Sequence, residues 1–330
     1  MRRRDFIVLL AGAVTAQPLA AHAQPAHAVP KVGWLKIQGA AHTPDQLQAF
    51  REGMRQLGLV EGRDYAIEER YANGDETRLP ALAADLVSSG VSIILATSQP
   101  SIAAAARVTK TVPVIGRMVD DPVAGGFARS LGRPGGNVSG IYAMTEEMNP
   151  KRLGLLKEVV PSIRHVGVLL RSDFPSRQIA AHDWQVAVEG AGQLDLELVA
   201  LDAHTQDDLR AAFDQAATSK IEGIVTFRNP TVVTYIDLIA ELCRQRRIPA
   251  VFDAREYVDA GGLMSYGPNI DAIYRQLATY VVQLLHGTPP GELPIQQPTT
   301  FELVVNKHTA DAIGIALPQS LLALADKVIQ

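Results

Sequence analysis

The sequence predicts an α/β protein made of two doubly wound lobes. First, short apolar strands alternate with longer amphipathic helices, a pattern typical of parallel sheets covered by helices on both faces. Second, this series runs through each half of the chain, although no residue-level repeat relates the halves. Third, the 330 residues, less a removable N-terminal segment, suit two domains of ordinary size.

The first half begins with a buried strand at 32–37 and a helix that has a clear start signal. Thr43 is its predicted N-cap, with Pro44 at the first helical position and Gln46 completing a capping box. The elements predicted after it are an edge strand at 65–72, a helix ending at Gly90, strands at 91–98 and 112–119 with a helix from Ser101 between them, and a short helix opening at Asp121-Pro122.

The turn at 133–140, rich in glycine and proline, precedes the first crossing between lobes, which is predicted near Ala143. A helix opening at Asn149-Pro150 then restarts the series. The elements predicted beyond it are strands at 165–171, 196–202, 223–227, 249–253 and 262–267, a helix capped by Thr205, helices at 235–246 and 270–286, a proline-rich linker at 289–298, and a final strand at 301–306 followed by two short helices.

Residues 1–23 have the features of an export signal. Arg3-Arg4 begins a twin-arginine pattern, an apolar run follows, and Ala21-His22-Ala23 suits signal peptidase. The apolar run is too short for a bilayer of ~30 Å, which needs about 20 helical residues. We expect Tat-like export, with the general route open, and cleavage after Ala23 that leaves Gln24 as the first mature residue.

Cysteine usage and charge narrow the class further. Cys243 is the only cysteine, so an internal disulfide and a lipid-modified cysteine near Ala23 are excluded, and a buried, inert thiol is expected. The net charge is −4 with acids and bases interspersed, which predicts no nucleic-acid partner. No later segment is long and apolar enough to insert in a membrane. These features indicate a periplasmic protein.

Residues that follow the predicted strands form the candidate ligand site, because ligands of open α/β sheets bind beyond the carboxyl ends of the strands. A helix N-terminus with Ser98 or Ser101 suits a carboxylate, and Asp121 or Asp253 suits an ammonium group. The site therefore predicts a small polar or zwitterionic ligand. The candidate residues are Ser98, Gln99, Asp121, Ser172, Phe174, Arg228, Asn229 and Asp253.

Several candidates also have a purely structural interpretation. Asp121 and Ser101 are suited to cap helices, and Asn229 precedes a proline as in a turn. Aromatic residues at strand ends, such as Phe227 and Phe252, more often fill a core than touch a ligand. The set as a whole, rather than any member, indicates a binding site.

Motifs of catalysis are missing from the sequence. It contains no nucleophile elbow, no H-E-x-x-H and no Walker loop, and its histidines lack metal-ligand spacing. We therefore expect a protein that is not an enzyme and has no cofactor or metal. An acid/base enzyme using Asp121 or Asp253 stays open, since such chemistry needs no local motif.

Four stretches resemble the ABC transporter substrate-binding family related to the tryptophan/tyrosine-binding TrpX proteins, which has the type 1 periplasmic binding protein fold. They span nearly the whole mature chain. The stretches are LGLVEGRDYAIEERYANGDETRLPALAADLV, DDPVAGGFARSLGRPGGNVSGI, REYVDAGGLMSYGP and QQPTTFELVVNKHTADAIGIALPQSLLALAD.

The resemblance implies two Rossmann-like lobes that close on a ligand about a hinge. Lobe 1 would comprise 24–142 and 268–298, and lobe 2 would comprise 143–267 and 299–330. The family's ligand loops fall on the strand-end residues already named. The implied function is to capture a small molecule, such as an aromatic or other amino acid or a related organic acid, for the membrane permease of an ABC importer. A ligand-sensing component of a signalling receptor is the alternative.

Overall fold

The computed structural model describes residues 29–39, 44–144, 148–173 and 177–330. The predicted signal peptide, the Thr43 cap and the candidate Phe174 lie outside the described residues. Within them, the strands form two sheets covered by helices, which confirms the predicted fold class. No described helix is both long enough and apolar enough to cross a membrane.

The first sheet is entirely parallel, as the near-continuous apolar strands predict. Its elements are β1 (Lys31–Lys36), α1 (Pro44–Gln56), β2 (Ala66–Tyr71), α2 (Leu79–Ser88), β3 (Ile93–Ala96), α3 (Gln99–Val108), β4 (Val114–Met118) and β5 (Val138–Tyr142). The strand order is β2-β1-β3-β4-β5. Consequently β2 is an edge strand, as its alternating sequence predicts.

The second sheet is longer and mixed. Its elements and the helix that returns to the first sheet are α4 (Asn149–Val159), β6 (His165–Leu170), α5 (Arg177–Gly192), β7 (Glu197–Asp202), α6 (Gln206–Thr218), β8 (Gly223–Thr226), α7 (Pro230–Thr234), α8 (Ile236–Gln245), β9 (Ala250–Phe252), α9 (Arg255–Asp259), β10 (Met264–Pro268), α10 (Ile270–Leu285), β11 (Phe301–Asn306), α11 (Lys307–Ile313), α12 (Gln319–Leu324) and β12 (Lys327–Ile329). The order is β12-β11-β10-β9-β8-β6-β7, with β10 and β11 antiparallel and the other pairs parallel.

Apolar side chains cover both faces of each sheet, because successive residues of a strand point to opposite sides. In β1, Trp34 packs on one face with Phe50 and Tyr274, at ring-centroid distances of 6.0 and 5.5 Å, whereas Leu35 belongs to the core on the other face. Tyr274 lies on α10, so this helix completes the core of the first sheet although it follows a strand of the second.

The chain passes between the sheets three times: after β5, after β10 and before β11. Before the last passage, Gln296 lies beside β5, and its carbonyl accepts a hydrogen bond from the Tyr142 N–H at 2.9 Å. The division into two lobes that move separately remains a prediction.

Three local predictions were wrong. Residues after Asp121 form turns rather than a helix, and α3 begins at Gln99 with Ser98 as its N-cap rather than at Ser101. The helix predicted at 235–246 is α8, and the short helix α7 before it was not predicted. The final strand is β12 rather than β11. Residues 327–329 are too few to show a period, and pairing with β11 decides their conformation.

Candidate functional site

A cavity of about 240 Å³ lies between the two sheets, at the carboxyl ends of their strands. β1 lies between β2 and β3, and β6 lies between β7 and β8, so both sheets have a switch in strand order. At such a switch the following loops diverge and leave a crevice. The side chains that matter most to its chemistry are Lys36, Gln99 and Arg117 from the first sheet and Arg228, Asn229 and Glu256 from the second.

The N-terminus of α3 forms part of the first-sheet wall. Ser98 caps this helix: its Oγ accepts a hydrogen bond from the Ser101 N–H at 3.4 Å and lies 2.8 Å from Ser101 Oγ. Gln99 occupies the first turn and is buried. Pro100 has no N–H, and the N–H groups of Ser101 and Ile102 donate to Ser98, so this end of the cavity favours an anion through the positive end of the helix dipole rather than through a row of free N–H groups.

Lys36 and Arg117 add positive charge to the same wall. Lys36 ends β1 and donates from Nζ to Gln46 Oε1 on α1 at 3.0 Å. Burial lowers the pKa of Lys36 to about 7; the Glu256 carboxylate opposes this shift, whereas the Arg117 and Arg228 charges reinforce it. Burial also lowers the pKa of Arg117, with repulsion from Arg228 as the next cause.

A buried ion pair organises the second-sheet wall. Arg228, which follows β8, donates from Nη1 to Asp253 Oδ2 at 2.7 Å, and Asp253 Oδ1 accepts from Thr226 Oγ1 at 2.9 Å. Burial raises the pKa of the Asp253 carboxyl, but the charges of Arg228 and Arg152 and these hydrogen bonds outweigh it, so the pKa is lowered overall. The pair therefore stays ionised and holds the Arg228 guanidinium at the cavity.

Asn229 shapes the turn beside Arg228. Its Oδ1 accepts from the N–H groups of Thr231 and Val232 at 2.9 and 3.1 Å, and its Nδ2 donates to the Phe227 carbonyl at 2.9 Å. Both polar atoms of the Asn229 amide are therefore hydrogen-bonded to the backbone of the turn and of the start of α7. The residue thus lines the cavity while its side chain serves the turn.

Three side chains of the cavity wall carry buried polar atoms without a hydrogen-bond partner among the described residues. They are Nε and Nη1 of Arg117, Oε1 of Gln99 and Oε2 of Glu256. Buried polar groups in folded proteins are nearly always paired. A ligand that offers an acceptor to Arg117 and donors to Gln99 and Glu256 satisfies all of them.

A second cavity, of about 450 Å³, adjoins the first across Arg228 and Asn229. Its wall includes Phe227, Trp184 and Asp183, and burial raises the pKa of Asp183 to about 6. The apolar side chains of this cavity complement the charged wall of the first. The cleft between the sheets therefore combines polar and aromatic surface, as small-molecule sites do.

The structure separates the sequence-predicted residues into groups. Ser98, Gln99, Arg228 and Asn229 line the first cavity, and Asp253 lies directly behind Arg228. The other candidates stand apart: Asp121 is exposed and accepts from the N–H groups of Val123 and Ala124, Ser172 lines the second cavity and donates to Asp202, and Phe174 lies outside the described residues. The ligand-binding role of all eight stays a prediction.

Arg117 and Glu256 were missed by the sequence analysis. Arg117 lies inside β4, whereas the search followed residues after strands. The sequence feature that could have identified it is an arginine within an otherwise apolar strand. A charge in such a strand is buried, and a buried charge needs a partner such as a ligand. Glu256 sits in the first turn of α9, three residues beyond Asp253, and no signal distinguished it from a solvated helix acid.

The chain belongs to the ABC transporter substrate binding protein family, whose model matches residues 40–329. A curated relative, the tyrosine-binding protein of Clostridioides difficile strain R20291, is 25% identical over 273 residues, which cover 81% of this chain and 76% of the relative. The predicted family resemblance is thereby confirmed.

Solved structures share the fold. A conserved domain protein from Vibrio cholerae O1 biovar El Tor is 26% identical, with a TM-score of 0.81 over 91% of this chain and 100% of that chain. A Streptococcus pneumoniae ABC domain in complex with L-Trp is 22% identical, with a TM-score of 0.81 over 92% and 100% of the two chains. The molecule accordingly has the two-lobed architecture of type 1 periplasmic binding proteins.

Proposed function

We propose that this protein captures a small solute in the cleft between its two sheets and delivers it to the membrane permease of an ABC importer. The observation that carries the proposal is the cavity wall, where buried polar atoms of Arg117, Gln99 and Glu256 have no partner in the described residues. A site that is complete only with a bound solute is expected of a receptor. Membership of the substrate-binding family supports the same conclusion.

Capture requires no covalent chemistry. A solute that contacts the first-sheet wall at Arg117 and the second-sheet wall at Arg228 is bound fully only when the sheets approach each other. It therefore shifts the population from an open to a closed form, by as much as its affinities for the two forms differ. The permease would then recognise the closed form.

The proposed cargo is an amino acid or a related small organic acid. Its carboxylate would bind at the N-terminus of α3, between Ser98 and Arg117, where both the helix dipole and the guanidinium favour negative charge. Two relatives, one named as tyrosine-binding and one solved with L-Trp, support this class. The rest of the molecule would extend toward Phe227 and Trp184 in the second cavity.

We place this function in the periplasm. Substrate-binding proteins of ABC importers act outside the inner membrane, and residues 1–23 carry a twin-arginine export pattern. Gln24 rather than a cysteine comes directly after Ala23, so no lipid can be attached at the proposed cleavage site, and the protein would need a closed compartment for retention.

The test is a thermal-shift screen of the mature chain from Gln24 against amino acids, hydroxy acids, other organic acids, sugars and nucleosides. A ligand at a thousand times its Kd adds about 4 kcal/mol to the stability of the folded state. Arg117→Met should abolish the shift, whereas Arg133→Met, at an exposed arginine that lines neither cavity, should retain it. A compound consumed during the assay, or a screen without any hit, would contradict the proposal.

A further inference from the structure

The buried charges around the first cavity do not balance. Three cations, Lys36, Arg117 and Arg228, line the cavity, and the carboxylates that act on them are Glu256 in the wall and Asp253 behind it. Arg152, which is buried and also acts on Asp253, adds a further positive charge, so at least one positive charge is in excess. The remaining acid of the wall, Asp237, is solvent-exposed on α8, and water screens its charge.

The excess charge can be placed on Arg117. Arg228 is neutralised by Asp253 at 2.7 Å, and the single charge of Glu256 is shared, because it attracts Lys36, Arg117 and Arg228. Arg117 is 4% exposed and lies beside Tyr274, but it forms no salt bridge within the described part of the chain, and its Nε and Nη1 have no acceptor there. A buried cation in that condition is costly unless a ligand supplies the opposite charge.

Because these cations lie on opposite sides of the cleft, the excess positive charge opposes closure of the cleft. Arg117 lies on β4 of the first sheet, and Arg228 follows β8 of the second, so their repulsion acts across the cleft. Bringing the sheets together without a ligand buries like charges face to face. An anion between them replaces this repulsion with two attractions.

We infer that the cargo is a small monoanionic organic acid, with a hydroxyl rather than an ammonium group beside its carboxylate. This inference rests on the proposed solute-binding function and narrows its ligand class. One carboxylate matches the single unpaired charge of Arg117. A neutral O–H can donate to Glu256 Oε2 or Gln99 Oε1, whereas an ammonium group restores the excess positive charge that the carboxylate removed.

Lys36 provides a second readout of ligand charge. The groups that face it are Gln46 on α1, Arg117 on β4, Arg228 after β8 and Glu256 on α9, and its pKa lies at about 7. An anion bound beside it raises that pKa, so binding above pH 7 takes up a proton. Affinity then stays level below pH 7 and falls as pH rises above it, by up to about tenfold per pH unit.

The experiment compares acids that share a carbon skeleton and differ only in the α substituent. The pairs are L-lactate and L-alanine, L-glycerate and L-serine, 3-phenyllactate and phenylalanine, and indole-3-lactate and tryptophan. Calorimetric titration at pH 8 in two buffers of different ionisation enthalpy gives both Kd and proton uptake. For the skeleton that binds, the hydroxy acid should be tighter by about tenfold or more, because the ammonium group adds an uncompensated buried charge.

Lys36→Met should remove the proton uptake, and Lys151→Met, at an exposed lysine on α4, should leave it unchanged. An amino acid that binds as tightly as its hydroxy acid, or pairs that all fail to bind, would overturn the inference on ligand charge. In those cases the solute-binding proposal survives if any other compound of the thermal-shift screen binds. Failure of that entire screen would overturn both.

Discussion

Three charged residues at or behind the cleft wall, Arg228, Lys36 and Arg152, are each held in place by a specific neighbour. Asp253 fixes Arg228, Gln46 accepts from Lys36, and Arg152, which is buried on α4, donates to the Tyr266 carbonyl at 2.8 Å. Arginine suits the buried pair because its planar fork stays charged and aligns with a carboxylate. Arg117 lines the cavity with Nε and Nη1 that have no acceptor among the described residues, and we therefore regard it as the residue to which the ligand contributes most.

Replacing Asp253 with asparagine should be strongly destabilising. The substitution leaves Arg228 buried without its counter-charge, which costs roughly 3–5 kcal/mol. Asp311→Asn, which removes an exposed helix pair with Lys307, should leave the free energy of unfolding nearly unchanged. Chemical denaturation of both variants measures the difference. A stable Asp253→Asn protein would contradict the structural role of this pair.

Lys36 should make stability depend on pH in a defined direction. The unfolded lysine keeps its proton up to about pH 10.5, whereas the folded one releases it near pH 7. Between these values the unfolded state binds more protons, so the contribution of Lys36 to stability rises with pH, by at most about 1.4 kcal/mol per unit. In Lys36→Met this contribution disappears. Denaturation of both proteins from pH 6 to 10 tests this; parallel curves would refute it.

Among the elements, α3 combines a structural and a binding role. Ser98 caps it as Thr205 caps α6, where the capping box also uses Asp208. Of these two helices, α3 has its N-terminus at the cavity that Arg117 lines and α6 does not. The two helices therefore allow a comparison between a side-chain cap at the cavity and a side-chain cap away from it.

Ser98→Ala and Thr205→Ala should each lose about 1 kcal/mol of stability, the usual cost of removing a helix cap. Only Ser98→Ala should also weaken ligand binding, because its hydroxyl borders the site. Calorimetric Kd values and denaturation of both variants separate the two effects. Equal ligand affinity in the two variants would show that the N-terminus of α3 takes no part in binding.

The sequence pattern was sufficient to predict elements that have a clear hydrophobic periodicity or a capping residue. Thr205 was predicted as an N-cap and is one, and the buried strand containing Trp34 is β1. Asp121 shows the limit of such reasoning: its carboxylate caps only a turn, because the backbone beyond Val123 does not continue into a helix. Sequence alone could not reveal that Arg117 faces Arg228, since that proximity depends on how two sheets are placed.

At the scale of the whole molecule, an ion pair between the two sheets lies at the edge of the cleft. Arg171, at the end of β6, lies 3.8 Å from Glu76 in the turn between β2 and α2. Burial raises the pKa of Glu76, and the charge of Arg171 opposes this shift. A contact of this kind is present only when the sheets are close, so it stabilises the closed form.

Glu76→Gln should lower ligand affinity by up to about fivefold, as expected for losing a partly exposed ion pair. The loss should appear mainly as faster ligand release, because the pair forms on closure. Glu241→Gln, whose partner Arg244 lies in the same helix, should leave affinity unchanged. Stopped-flow measurement of the ligand release rate from both variants tests this prediction. An unchanged release rate in Glu76→Gln would show that the contact does not support closure.

The most direct test of the proposed site is a crystal structure of the mature protein with the tightest ligand of the screen. We predict that its carboxylate lies between Arg117 and the N-terminus of α3, within hydrogen-bond distance of Arg117 Nε or Nη1, and that the second-sheet wall at Arg228 closes over it. A ligand bound elsewhere, with the nitrogens of Arg117 still unpaired, would contradict the assignment of this cavity as the solute site.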